Sequence, residues 1–146
     1  MAASEAEKLA ITKQSAEWAA QNLIARGYKA DFSLESLREV ERFFAEHSTK
    51  GKATAGGWLA ERLEARIFTL GCYIGEVIRR RCGGTWFVGD ASVMGPDFEV
   101  RFPNGGIIWP VQRAAKRFHN GPEDNVHFYG VVMVERCKEP AQGAPK

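Results

Sequence analysis

The stretch WLAERLEARIFTLGCYIGEVIRRRCGG, residues 58–84, decides the fold. Leu59, Leu63, Ile67, Leu70, Ile74, Val77 and Ile78 recur mainly at steps of three and four, the spacing that gathers apolar side chains on one face of an α-helix. The spacing predicts a helix from Trp58 to about Cys82. Gly71 and Gly75 lie beside that face, one turn apart. A glycine inside a helix costs about 1 kcal/mol relative to alanine, so two of them call for an offsetting gain. The expected gain is close approach by another backbone. Arg62, Arg66, Thr69, Tyr73, Glu76 and Arg80 fall on the opposite stripe, which reads as polar. Arg79, Arg80 and Arg81 suit the negative end of the helix dipole, and Gly83 and Gly84 end the helix.

Downstream the apolar period shortens. Thr85 to Val88 reads as a strand and Gly89 to Pro96 as a loop. Asp97 to Phe102 alternates Phe98, Val100 and Phe102 with Glu99 and Arg101, the pattern of a half-buried strand. Pro103-Asn-Gly-Gly106 is a turn carrying the Asn-Gly hairpin signal, and Ile107 to Trp109 returns as a third strand. Pro110 suits the first turn of a helix that runs to His119, with Val111, Ala114, Ala115 and Phe118 inward. Asp124 is the expected cap of a last helix from Asn125 towards Cys137. Within it, Val131 to Val134 leans towards strand.

Upstream, Ser4 and Glu7 match a capping box for a helix reaching Arg26, and Gly27 suits its C-terminal stop. Ser33 is the expected cap of a second helix, Leu34 to His47, with Leu37, Val40, Phe43 and Phe44 on its apolar face. Residues 48–57 are small, polar and glycine-rich and read as a mobile loop. The whole predicts an α+β fold. N-terminal helices and a long central helix pack on an antiparallel meander of about three strands, followed by one or two C-terminal helices. Residues 1–138 form a single domain and 139–146 a disordered tail.

The chain has 146 residues, 45% hydrophobic and 26% charged, enough to bury roughly two thirds of its unfolded surface. It therefore needs neither a metal nor a disulfide to fold. The net charge of +2 lacks the basic excess of a dedicated nucleic-acid binder. The first ten residues hold no apolar run, and no stretch approaches the roughly 20 apolar residues of a membrane span. Cys72 and Cys82 sit on one predicted helix, roughly 15 Å apart, too far for a bridge. Free thiols and a cytoplasmic location are the expectation.

Phosphate loops, dinucleotide fingerprints, zincin helices and zinc-finger spacings are absent from the sequence, so no cofactor and no metal is expected. His119 and His127 are close enough in sequence to meet but lack a third ligand. Cys82 as a nucleophile is disfavoured by its place at a helix C-terminus. Glu76 precedes Arg79 and Arg80 by three and four positions, the spacing of a helical ion pair. An enzymatic reading instead gathers Glu76, Arg80, Trp86 and Lys116 in a polar pocket. A third reading assembles the Arg79–Arg81 group with Arg113, Lys116 and Arg117 beside Trp86 and Trp109. Positive residues among aromatics attract nucleic acid or serve as anchors for an acidic protein partner.

Residues 70–79 (LGCYIGEVIR), Gly83-Gly-Thr-Trp86, Ile108-Trp-Pro110 and Lys116-Arg-Phe-His-Asn-Gly121 carry a resemblance. The order resembles a set of uncharacterised bacterial domains of unknown function with a Gly-x-x-x-Gly-Glu helix, a Gly-x-Trp strand and a proline-led helix ending near Asn-Gly. It spans Leu70 to about Tyr129. Such domains often occur near secretion systems and toxin–immunity loci. The resemblance implies a non-enzymatic, protein-binding role, that of an immunity protein occluding a toxin. The binding residues expected from the sequence are Glu76, Arg80, Trp86, Trp109, Arg113, Lys116 and Arg117. A homodimer would bury Trp58, Tyr73 or Phe128.

Overall fold

The computed structural model describes residues 4–92 and 95–141. At its centre runs α3 (Leu63–Cys82), packed chiefly against the first and fourth helices and also against the second and fifth. The two glycines do what their cost demands. A Cβ on Gly71 would lie 2.5 Å from Val111 Cα, and one on Gly75 would lie 2.3 Å from the Trp86 ring. Their absence of side chain lets the fourth helix and an indole seat directly on α3.

This crowding overturns the expected polar stripe. Thr69, Tyr73 and Glu76 are buried along with Ile67, Leu70 and Ile74, so α3 is covered on both sides. Its polar groups are served from within. The Tyr73 hydroxyl lies 2.7 Å from Ser36 Oγ and accepts from the Phe32 N–H. The Thr69 hydroxyl donates to the Arg66 carbonyl. The helix also starts later than predicted. Trp58–Ala60 forms a separate 3₁₀ turn, and Arg62, at φ +50°, breaks the chain before Leu63.

α1 (Glu5–Ala25) opens with Ser4 Oγ accepting from the Glu7 N–H, and Gly27 at φ +89° ends the segment. α2 (Ser36–His47) begins two residues later than predicted. Ser33 Oγ accepts from the Ser36 N–H at 3.1 Å, so it caps the turn that leads into the helix. The glycine-rich segment that follows is a hairpin, in place of the expected mobile loop: β1 (Ser48–Thr49) pairs with β2 (Lys52–Ala53). Its turn uses positive φ at Lys50 and Gly51. Main-chain bonds fasten it, Gly51 N–H donating to the Phe118 carbonyl at 2.7 Å and Thr54 N–H to the His47 carbonyl at 2.9 Å. Polar composition conceals such anchoring, because the backbone supplies it.

The meander is an antiparallel sheet in the order β3 (Thr85–Ser92), β4 (Gly95–Arg101), β5 (Ile107–Ile108). The first two strands run through the predicted Gly89–Pro96 loop, with a register shift between Val88 and Ala91. The remainder of that loop, residues 93–94, lies outside the described residues. α4 (Pro110–Asn120) starts on its proline as predicted. α5 (Val126–Cys137) is helical throughout, including Val131 to Val134. Gly130 and Val134 are buried, with Gly130 set against Leu37 and Leu34, and that packing overrides the strand preference of a β-branched run. Asn125, not Asp124, caps α5, accepting from the Phe128 N–H at 2.8 Å. The Asp124 carboxylate is engaged by Arg113 and Asn120.

The thiol expectation is corrected for two of the three cysteines. Cys82 and Cys137 form a disulfide with a Cα–Cα distance of 5.9 Å, joining the ends of α3 and α5. Spacing along one helix excluded only the Cys72–Cys82 pair, and the fold supplies a different one. Cys72 remains a buried thiol, and burial pushes its pKa up. Of the expected tail at 139–146, residues 142–146 lie outside the described residues, and the Glu139 carbonyl accepts from Asn104 Nδ2.

Candidate functional site

Glu76 is the most buried carboxylate among the described residues, 1% exposed. Arg79 Nε and Trp86 Nε1 donate to its Oε1 at 2.6 and 2.7 Å, and Arg79 Nη2 and Arg80 Nε donate to its Oε2 at 3.1 and 3.0 Å. Burial alone would raise its pKa. The hydrogen bonds from Arg79, Trp86 and Arg80 and the Arg79 charge outweigh burial and hold it below the usual carboxylate value. Four donors on two oxygens leave no free lone pair for a substrate proton, so Glu76 is a tie between α3 and β3. Arg80 also lies over the Phe32 ring at 3.9 Å.

The basic group separates. Arg117 points inward, 2% exposed, with Nε 2.9 Å from both Glu41 oxygens. Arg113 pairs with Asp124 and lies over Tyr129. Arg79 and Arg80 are folded onto Glu76. Lys116 and Arg81 are exposed. Of the seven binding residues expected from the sequence, Glu76, Trp86 and Arg117 are buried and cannot meet a partner from outside. Trp109, Arg113, Lys116 and Arg80 keep exposed or half-exposed positions. The arrangement offers nucleic acid no continuous basic stripe among the described residues. No group of three or more His, Cys, Asp or Glu among them is placed to hold a metal ion, and no helix among the described residues is long and apolar enough to cross a membrane.

What the structure does bring together is a face of mixed apolar and polar groups on β5, α4 and α5. A cleft of about 670 Å³ runs between Phe102, residues 104–108 and the α5 side chains Met133 and Arg136, with Glu139 and Pro140 at its rim. A smaller cleft of about 220 Å³ is lined by Arg113 and residues 123–125 together with Phe128, Tyr129, Val132 and Met133. Met133 lines both, so the two adjoin. Ile107 at the larger is 40% exposed and Phe128 at the smaller 69%; Trp109 and Val131, which line neither cleft, are also exposed. Of the three residues proposed for a homodimer, only Phe128 is available. Tyr73 is in the core, and Trp58 is enclosed by Trp18, Phe43 and Arg66.

Comparison of the chain with protein-family models, curated proteins and solved structures returns no match. The functional inference therefore rests on this chain's own residues. Sequence reasoning passed over Ile107, Met133, Arg136 and Asn104. A usable signal was present in α5, where Val126, Phe128, Tyr129, Val131, Val132, Met133 and Val134 supply apolar residues on more faces than one core can cover.

Proposed function

We propose that this chain is a non-enzymatic protein-binding domain that engages its partner through the β5–α4–α5 face. The observation that carries the reading is the exposure of Ile107 and Phe128 at two adjoining clefts, with Trp109 and Val131 exposed close by in sequence. Large apolar side chains grouped on a surface mark interaction sites, and aromatic residues flanked by arginine are favoured anchors. Arg113 and Lys116 supply the polar rim. The saturation of Glu76 weighs against the alternative enzyme built on Glu76 and Arg80, and the pairing of Arg79, Arg80, Arg113 and Arg117 weighs against nucleic acid. Among protein partners, the sequence resemblance points to a toxin, which the domain would neutralise by occlusion. The Cys82–Cys137 bridge removes the ground on which a cytoplasmic location was expected, since disulfides persist in oxidising compartments.

The test is a pull-down from a lysate of the source organism with wild-type and Phe128→Asp baits. A stoichiometric partner held by the wild type and lost by the variant supports the reading, and that partner's own activity tests the toxin assignment. A partner held equally by both baits removes the face. An empty wild-type bait removes the binding function.

A further inference from the structure

The larger cleft follows the edge of a strand. Successive residues of a strand point to opposite faces of its sheet, yet Ile107 and Ile108, the two residues of β5, both line the cleft. A cleft lying over one face would touch alternate residues. This one runs alongside, and the order β3-β4-β5 makes β5 an edge.

The register states which groups that edge presents. Phe102 N–H donates to the Gly106 carbonyl at 2.8 Å, and Arg101 and Val100 lie opposite Ile107 and Ile108. Bonded and non-bonded pairs alternate in an antiparallel ladder. Ile108 therefore turns its main-chain groups towards β4, and Ile107 turns its N–H and carbonyl outward. Ile107 and Trp109, at alternate positions, leave their side chains half open to solvent. The edge carries a free donor and acceptor beside an apolar surface, the requirements for strand addition.

Met133 and Arg136 of α5 line the cleft together with β5. One end of the cleft is tied shut, because Asn104 Nδ2 donates to the carbonyls of Arg136 and Glu139 at 3.0 Å each. A peptide running antiparallel to β5 travels from Trp109 towards that tie and has to end there. Arg136 lines the cleft and has no ion-pair partner among the described residues.

We infer that this cleft binds the C-terminal segment of a partner protein as an added antiparallel strand, its terminal carboxylate meeting Arg136. The inference rests on the protein-binding reading and names its partner chemistry. The strand edge itself is Ile107–Ile108, roughly 7 Å at the usual strand rise, enough to pair about two residues. Ile107 and Trp109 select an apolar side chain among them. Glu139 at the rim selects against an acidic one.

The experiment uses two pools of random hexapeptides, one with free C-terminal carboxylates and one amidated, panned on the full chain and on Arg136→Gln. Arg136 is exposed, so the variant keeps its fold, checked by circular dichroism. The expected result is enrichment from the free-acid pool of sequences with an apolar residue in the last three positions. The selected peptides should bind at least tenfold more weakly when amidated, and Arg136→Gln should abolish that preference. No enrichment, equal binding of acid and amide, or an unchanged preference in Arg136→Gln overturns the inference. A cellular partner that is lost by Phe128→Asp while the peptide result is negative leaves the protein-binding reading standing and removes only the strand-addition mode.

Discussion

The middle of α3 and the rim formed by β5 and α5 are built from similar residues and have opposite outcomes. Around Gly71 and Gly75 every position is filled. An indole and a helix backbone occupy the space a methyl group would take, and the one carboxylate present receives four hydrogen bonds. At the rim, Ile107 and Phe128 face solvent at open clefts, and Trp109 and Val131 are exposed as well. The centre uses its aromatic and charged residues to close the fold. The rim leaves equivalent residues unspent, and a binding function belongs where complementarity is unfinished.

The comparison breaks most severely if the two regions are uncoupled. The Cys82–Cys137 disulfide closes a segment of 55 residues, and the chain-entropy model gives such a loop about 4 kcal/mol. Replacing both cysteines by serine should lower the unfolding free energy by up to that amount in urea titrations. Thiol titration of the unreduced wild type should find one group, Cys72, and only after denaturation. Two further thiols in that assay would remove the bridge.

Within the centre, Gly71→Ala places a methyl against the Val111 backbone, which cannot rotate aside. A loss of about 3 kcal/mol is expected, at the upper end of overpacking penalties. Gly130→Ala is the control, since it meets only the flexible side chains of Leu37 and Leu34, and it should cost markedly less. Equal effects would mean that α4 yields as readily as a leucine.

Glu76→Gln should cost about 2 kcal/mol near neutral pH, less than a fully buried pair because Arg79 and Arg80 reach solvent. The carboxyl is held below its ordinary 4.5, so the unfolded chain binds more protons in acid than the folded one. Its contribution is complete above about pH 4.5 and is lost as pH falls through the lower folded value. The acid limb of the wild-type stability curve should be steeper than that of Glu76→Gln, and parallel limbs would show that Glu76 is not ionised in the fold. The smallest effect belongs to the rim. Phe128→Ser should change stability by no more than about 0.5 kcal/mol, and a loss above 2 kcal/mol would make Phe128 part of the core.

Helices were legible in the sequence because periodicity, caps and glycines agree there: Ser4, Gly27, Gly83 and Pro110 all stand where the structure uses them. The glycine pair of α3 announced its close packing. Burial of Thr69 and Glu76 was not legible, because local partners at Arg66, Arg79 and Arg80 suit an exposed helix face equally well, and burial of Tyr73 was not legible, since its partner Ser36 comes from 37 positions away. Arg117 was misjudged as surface for the same reason, because Glu41 lies 76 residues away. The hairpin at Ser48 to Ala53 and the disulfide likewise depend on what the fold sets beside them. The proposed binding face was half legible. Trp109, Arg113 and Lys116 were named, but an edge strand and its cleft exist only once the sheet order is known.

One carboxylate has consequences for how this chain folds in time. Glu41 Oε1 accepts from the Val126 N–H at 3.0 Å as well as from Arg117. It therefore supplies an anion at the start of α5, where the helix leaves an amide without an internal partner. The contact spans 85 positions. The N-terminal helices cannot complete their interior before the last helix arrives, which sets a long loop closure ahead of the reward. Deuterium should enter the Val126 amide at the rate of whole-molecule opening, making that proton a clock for global unfolding.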